Sequence, residues 1–277
     1  MRRLALLLSL PALILASEPS VREMNLTTPD GYTLSGTLTV PATRGRHPAI
    51  LLAHPFHSTR EGWDPLVAKL NERGLATLAL DLRGHGRSLH QGEAEPSITS
   101  TYLTAAEAAG FDQIPADLTL AAAWLRKQKG IDGRHLGLAG ADEGAFAALL
   151  ASAKIKPAVT LALSPLGGEG FGPGAQHRLA TAATRAHAAL MAFVSIGDQE
   201  PEDNLAPLRP IYGSNIRSFE GKQRGLAFLE THGDVMAVFF AEYLLHPHTG
   251  RGVAKPQEAA APASGTILIP AAPGSTN

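Results

Sequence analysis

A chain of 277 residues with 44% hydrophobic content can bury one sizeable core, and its composition excludes collagen, coiled coil and wholesale disorder. Its 24 basic and 25 acidic residues give a formal net charge of −1, so no global field exists to hold a polyanion, and nucleic acid is excluded as an expected partner. Cysteine is absent, which removes both disulfides and a lipoprotein anchor and leaves stability to the core.

Met1 to Ser17 opens with Arg2 and Arg3, runs apolar from Leu4 to Ala16, and turns polar at Ser17 and Glu18. That layout predicts a secretory signal over residues 1–17, cleaved near Ala16 or Ser17, and export to the periplasm or the extracellular space. The apolar run is shorter than the ~20 residues a membrane-spanning helix needs, so no stable membrane anchor is expected.

Glu23 to Pro41 reads as a β-hairpin about the turn Pro29-Asp30-Gly31, with Tyr32 to Val40 roughly alternating. From Pro48 the pattern changes to apolar runs separated by helical stretches, the layout of a mostly parallel sheet with helices on both faces. Buried strands are predicted at Ala49–His54, Ala76–Asp81, Leu136–Ala141, Ala158–Ser164, Leu190–Gly197 and Gly225–Glu230. Helices are predicted at Gly62–Arg73, Pro115–Lys129, Glu143–Ala153 and Asp234–His246, with Gly74, Gly130 and Gly133 stopping the first two. Leu89–Gln113 is expected to form a loop with a short helix over the site, and Gly167–Ala175 a glycine-rich loop. One α/β domain over residues 23–246 is therefore expected, followed by a tail, 247–277, whose Ala, Pro, Gly, Ser and Thr content predicts disorder.

In an open parallel sheet, ligands sit beyond the carboxyl ends of the strands, and four of these ends carry suggestive residues. Gly140-Ala141-Asp142-Glu143-Gly144 joins a strand to a helix with small residues two before and two after an apex, as a sharp elbow requires, and Asp142 stands at that apex. His54-Pro55-Phe56-His57-Ser58 follows the third strand, where the amide of Phe56 would make an oxyanion hole with that of Glu143. Asp198 follows a strand and a glycine and is placed to orient an imidazole. His232, ahead of the last predicted helix, stands where the general base belongs. The order nucleophile, acid, histidine is the order of a known triad arrangement.

On these motifs, together with Asp81-Leu82-Arg83-Gly84-His85-Gly86-Arg87-Ser88, the chain resembles the α/β-hydrolase superfamily, in its cap-less dienelactone-hydrolase-like and esterase-like branch. The resemblance covers roughly Asn25 to Leu245 and implies the α/β-hydrolase fold; at the apex, aspartate stands where the family pattern G-x-S-x-G has serine.

Three readings of Asp142 stay open. As a nucleophile it would attack an sp3 carbon, as in the haloalkane dehalogenases and epoxide hydrolases of this superfamily, and His232 would activate the water that cleaves the ester. Those relatives carry a large cap and a tryptophan after the aspartate, whereas Pro165 to Ala189 is short and Glu143 follows here. As a water-positioning carboxylate it would serve acyl hydrolysis, although the paired charges of Asp142 and Glu143 oppose a growing oxyanion. As an N-cap it would only satisfy the free amides of its helix. The fallback nucleophiles Ser58 and Ser164 lie at strand ends but not on an elbow, and Ser164 and His54 are expected to line the pocket.

The histidines His54, His57, His85 and His90 have no supporting carboxylate or cysteine spacing, so no metal is expected, and no organic cofactor is implied. Asp81 is expected to order its own loop, and Glu200, Glu202 and Asp203 to form a solvated acidic run. The expected function is hydrolysis of a small ester-like or related substrate through Asp142, His232 and Asp198. The rival is a catalytically degenerate protein of the same fold that binds a small molecule or acts as a scaffold.

Overall fold

The computed structural model describes residues 18–95 and 101–246. The signal segment and the C-terminal tail expected from the sequence lie outside the described residues. One eight-stranded sheet runs in the order β1-β2-β4-β3-β5-β6-β7-β8, formed by Ser20–Thr27, Thr33–Val40, His47–Ala53, Ala76–Leu80, Ile131–Ala141, Val159–Leu163, Ala189–Ser195 and Ile216–Phe219 in chain order. β1 and β2 pair antiparallel from Ser20↔Val40 to Thr27↔Thr33, and β2 pairs antiparallel with β4. All other neighbours are parallel. The central strands are buried throughout, which is why they read as continuous apolar runs: both of their faces are covered by helices.

The helices are α1 (Asp64–Glu72), α2 (Tyr102–Ala109), α3 (Ile114–Leu125), α4 (Glu143–Ile155), α5 (Ala175–Ala186), α6 (Gln199–Leu205), α7 (Arg209–Tyr212) and α8 (Phe228–Leu245). α1 and α8 cover one face, where Trp63, Leu66, Phe228, Met236 and Phe240 pack on Ile50, Ala139 and Leu161. α3, α4 and α5 cover the other, with Leu118, Phe146, Leu149 and Leu179 over Leu51, Leu138 and Ala162. The chain leaves β3 towards β4 on one side and reaches β5 on the other, so the loops after β3 and β5 diverge at a crevice beyond their carboxyl ends.

The end of the chain corrects the sequence reading. Gly225–Glu230 is no strand: Gly225–Ala227 is a 3-10 turn and α8 starts at Phe228, six residues ahead of the expected Asp234. The real last strand, Ile216–Phe219, has only Ile216 fully buried, so it carries almost no apolar run to detect. Gly233 lies within α8, and a Cβ there would sit 3.2 Å from the Lys69 side chain packed against it. Gly133 lies inside β5 rather than ending a helix, and α5 to α7 have no counterpart in the sequence reading.

Arg83, in the loop after β4, ties three elements together. Its guanidinium is buried and donates to both Asp117 carboxylate oxygens on α3 (2.6 and 2.8 Å) and to Asp30 in the hairpin turn (2.8 Å), with the Tyr32 ring 4.7 Å away. Asp81 orders its own loop by accepting the amides of Arg60 and Arg87 at 3.0 Å each.

Candidate active site

β5 ends and α4 begins at Asp142, whose φ of 49° and ψ of −114° belong to a region that L-residues rarely occupy. Such a conformation costs about 1–3 kcal/mol and persists only where its surroundings enforce it. The Asp142 amide donates to the Leu163 carbonyl (2.8 Å), while its carbonyl accepts from Ala145 and Phe146. The two glycines are essential to this approach: a Cβ on Gly140 would lie 2.2 Å from the Gly144 oxygen, and one on Gly144 would lie 2.3 Å from that of Ala53. Gly144→Ala should accordingly cost about 3 kcal/mol by overpacking against backbone, read as a shifted denaturant midpoint at unchanged slope.

The Asp142 carboxyl caps no helix amide, so the bland N-cap reading is overturned for the side chain. One carboxyl oxygen, Oδ1, is buried with no hydrogen-bond partner, and the other faces Gly225, where a Cβ would sit 2.5 Å away. Burial and, behind it, the charge of Glu143 push this carboxyl up to about 8; Arg224 acts in the opposite direction.

The other expected members are placed differently. Asp198, at the carboxyl end of β7, is held by Arg224, which donates from Nε (2.9 Å) and from a second guanidinium nitrogen. Asp198 therefore orients a guanidinium, and His232 is not its partner. His232 lies inside α8, its Nδ1 2.6 Å from Thr231 Oγ1 and its ring against Phe193, Phe219 and Phe228. The missed start of α8 is the cause, since it moved the expected turn four residues into a helix. Arg224, directly before Gly225 and beside both Asp142 and Asp198, is a candidate site residue that the sequence reading missed. Its signal was a basic residue followed by glycine between the last strand and the last helix.

The expected oxyanion amide is present but taken. Phe56 N–H donates to the Glu143 carboxylate (2.9 Å), so the Glu143 side chain occupies the amide expected to serve an oxyanion. Burial raises the Glu143 carboxyl, and the amides of Phe56 and of Glu143 itself draw it back down. Above them, α2 forms the short covering helix expected of 89–113: the Tyr102 hydroxyl donates to Gly167 O (2.6 Å) and its ring meets Phe56. Glu200 is more than a solvated charge, because it accepts the amides of Gly167 (2.7 Å) and Gly168 (3.2 Å).

Ser164 and His54 do not open onto a pocket. Ser164 is buried, has φ 49°, and accepts the Gly225 amide at 3.2 Å. His54 is buried and neutral, held down at about 3 by desolvation, with Nδ1 on Pro55 O and Nε2 accepting the Leu82 amide. His85 has both ring nitrogens engaged, by Arg83 O and the His57 amide. In both imidazoles Nδ1 faces a carbonyl oxygen and Nε2 accepts an amide, so neither presents a free lone pair, and among the described residues no group of three or more His, Cys, Asp or Glu side chains could hold a metal ion. Ser58 donates weakly to Thr59 O at 3.4 Å, away from any elbow.

Comparison with known proteins agrees with this architecture. Solved structures with the same fold include acetyl xylan esterase 1 from Thermoanaerobacterium sp. (TM-score 0.65, 17% identity, 83% of this chain and 86% of that one). They also include the Pyrococcus furiosus esterase Pf2001 (TM-score 0.57, 17% identity, 82% and 91%) and a dienelactone hydrolase from Anabaena variabilis (TM-score 0.54, 18% identity, 83% and 99%). At these identities the likeness is one of fold. A search of curated proteins gave no match. Residues 50–270 match the alpha/beta hydrolase family, and this match, with the strand order, the elbow at Asp142 and the crevice beyond β3 and β5, shows that the chain belongs to that family.

Proposed function

We propose that this chain hydrolyses a small ester-type substrate, with the Asp142 carboxylate drawing a proton from water in place of the covalent step a serine would perform. The observation that carries this reading is a carboxyl at the elbow apex with a free buried oxygen and an affinity for protons raised to about 8. A carboxylate that basic is a far better general base than an ordinary aspartate. Acting on water also avoids the anhydride that direct attack on an ester would form. The water oxygen bonds to the carbonyl carbon as Asp142 takes its proton and the carbonyl pair moves onto oxygen. Collapse then breaks the bond to the leaving alkoxide, which recovers the proton from Asp142. Arg224, fixed by Asp198, supplies positive charge beside this site. Family membership supports hydrolysis as the reaction class, and the ester and lactone chemistry in the names of the structural relatives supports the substrate class. The charged start and apolar run of residues 1–17 support export to the periplasm or the extracellular space, which the mass of the mature chain checks.

The rate on a short-chain aryl ester should rise through pH about 8 and then level, and Asp142→Asn should lower the plateau by about 100-fold or more. Stability carries the opposite slope. A carboxyl raised in the folded state favours the protonated form, so the wild type should lose stability relative to Asp142→Asn as pH climbs from the ordinary aspartate range to about 8, and no further above it. A flat rate profile, or full activity in the variant, would discard Asp142 as the base.

The Phe56–Glu143 hydrogen bond favours a second reading, a protein that binds its ligand without turnover. Under it, hydrolysis stays at background across the whole pH range while the stability difference persists.

A further inference from the structure

α4 carries alanine along much of its length, and where α3 and α5 flank its C-terminal half these small side chains leave a trough open to solvent. The cavity is about 490 Å3, within the range of small-molecule sites. It is distinct from the elbow: Leu150, on its floor, stands eight residues along α4 from Asp142, about 12 Å at the helical rise. The floor is apolar, formed by Leu150, Ala151 and Ala182. The rim is cationic. Lys154 and Arg185 hold no ion pair or hydrogen bond through their side chains among the described residues, and each has its charge free at the mouth. Arg178 is fixed in place by donating to the carbonyls of Phe171 (2.9 Å) and Pro173 (2.5 Å), contacts that leave its charge uncompensated. The opposing carboxylate, Asp112, receives the Gln113 amide at 2.8 Å. Three arginine and lysine charges against one carboxylate, over a methyl-lined floor, form a local basic patch on a chain whose net charge is −1.

We infer that this trough binds an amphipathic anion, a carboxylate on a medium-length alkyl chain, with the chain along Leu150, Ala151 and Ala182 and the head group between Lys154, Arg178 and Arg185. Apolar burial supplies the affinity and the rim supplies the selection for negative charge. This inference does not depend on the hydrolytic reading of Asp142.

The test titrates the full-length protein with decanoate, decanol and decyltrimethylammonium by calorimetry, with amide shifts recorded by NMR. Decanoate should bind one-to-one, about tenfold tighter than decanol, and the cationic analogue should bind weakest. Raising salt should weaken decanoate but not decanol, because the rim is exposed. The surface double variant K154E/R185E should lose about tenfold in decanoate affinity with an unchanged Tm, and the largest amide shifts should fall on α3 to α5. Equal binding of decanoate and decanol, a double variant within about twofold of wild type, or shifts centred on residues 142–144 would each overturn the assignment. So would dimerisation at the trough without decanoate uptake.

Discussion

Arg83→Met should lower the free energy of unfolding by about 3–5 kcal/mol, the largest effect on stability expected of a single exchange in this chain. The guanidinium is buried against Asp117, itself buried, and removing it leaves that carboxylate without a counter-charge in a place water does not reach. The same exchange unties the hairpin turn at Asp30 from α3, since one side chain bridges both. For a domain of this size the loss corresponds to roughly 10 °C in Tm. Arg83→Met combined with Asp117→Leu should recover most of it, because two apolar groups need no partner. If the single variant melts within a degree or two of wild type, the bridge contributes no more than a surface pair.

The second large effect concerns the hole. Glu143→Ala should raise kcat/KM on a short-chain aryl ester by about 100-fold, since a single oxyanion donor is worth that much and the Phe56 amide is now spent on the Glu143 carboxylate. Two changes act together. The amide becomes free to meet a developing oxyanion, and a like charge next to Asp142 disappears. The second change has its own signature: Glu143 holds the Asp142 carboxyl up, so the midpoint of the pH–rate profile should move below about 8. The cost to the helix should be about 0.3–1 kcal/mol, the worth of an acid in a first turn. A variant that stays folded and remains at background across pH 6 to 10 would count against hydrolysis and for the binding reading.

How far the site was legible differs residue by residue. Gly140 and Gly144 announce the elbow because only a missing Cβ permits the contacts of 2.2 and 2.3 Å that bring α4 against β5 and β3. Asp142 follows from that spacing, and Phe56 from the proline before it and the strand before that. His232 was drawn to the site by chain order and by the strand expected at Gly225–Glu230, which is a 3-10 turn running into α8. Order is a weak guide where a four-residue strand with one fully buried position precedes a helix that begins as an apolar run. Arg224 escaped because a guanidinium was not among the groups expected to meet Asp198.

The amino-acid sequence by itself determined the class of fold, the hairpin at its start, the buried parallel strands and the aspartate at the apex. All of these depend on local pattern: apolar runs, turn residues and glycines at set spacings. Only the tertiary structure decided what surrounds that aspartate: which cation Asp198 holds, where His232 goes, and that Glu143 turns its carboxylate onto Phe56. Those outcomes rest on contacts between residues 26 and 87 positions apart in the chain, set by the packing of α8 and of the loop after β3. No local pattern encodes such distances, because they are settled by which buried surfaces fit together.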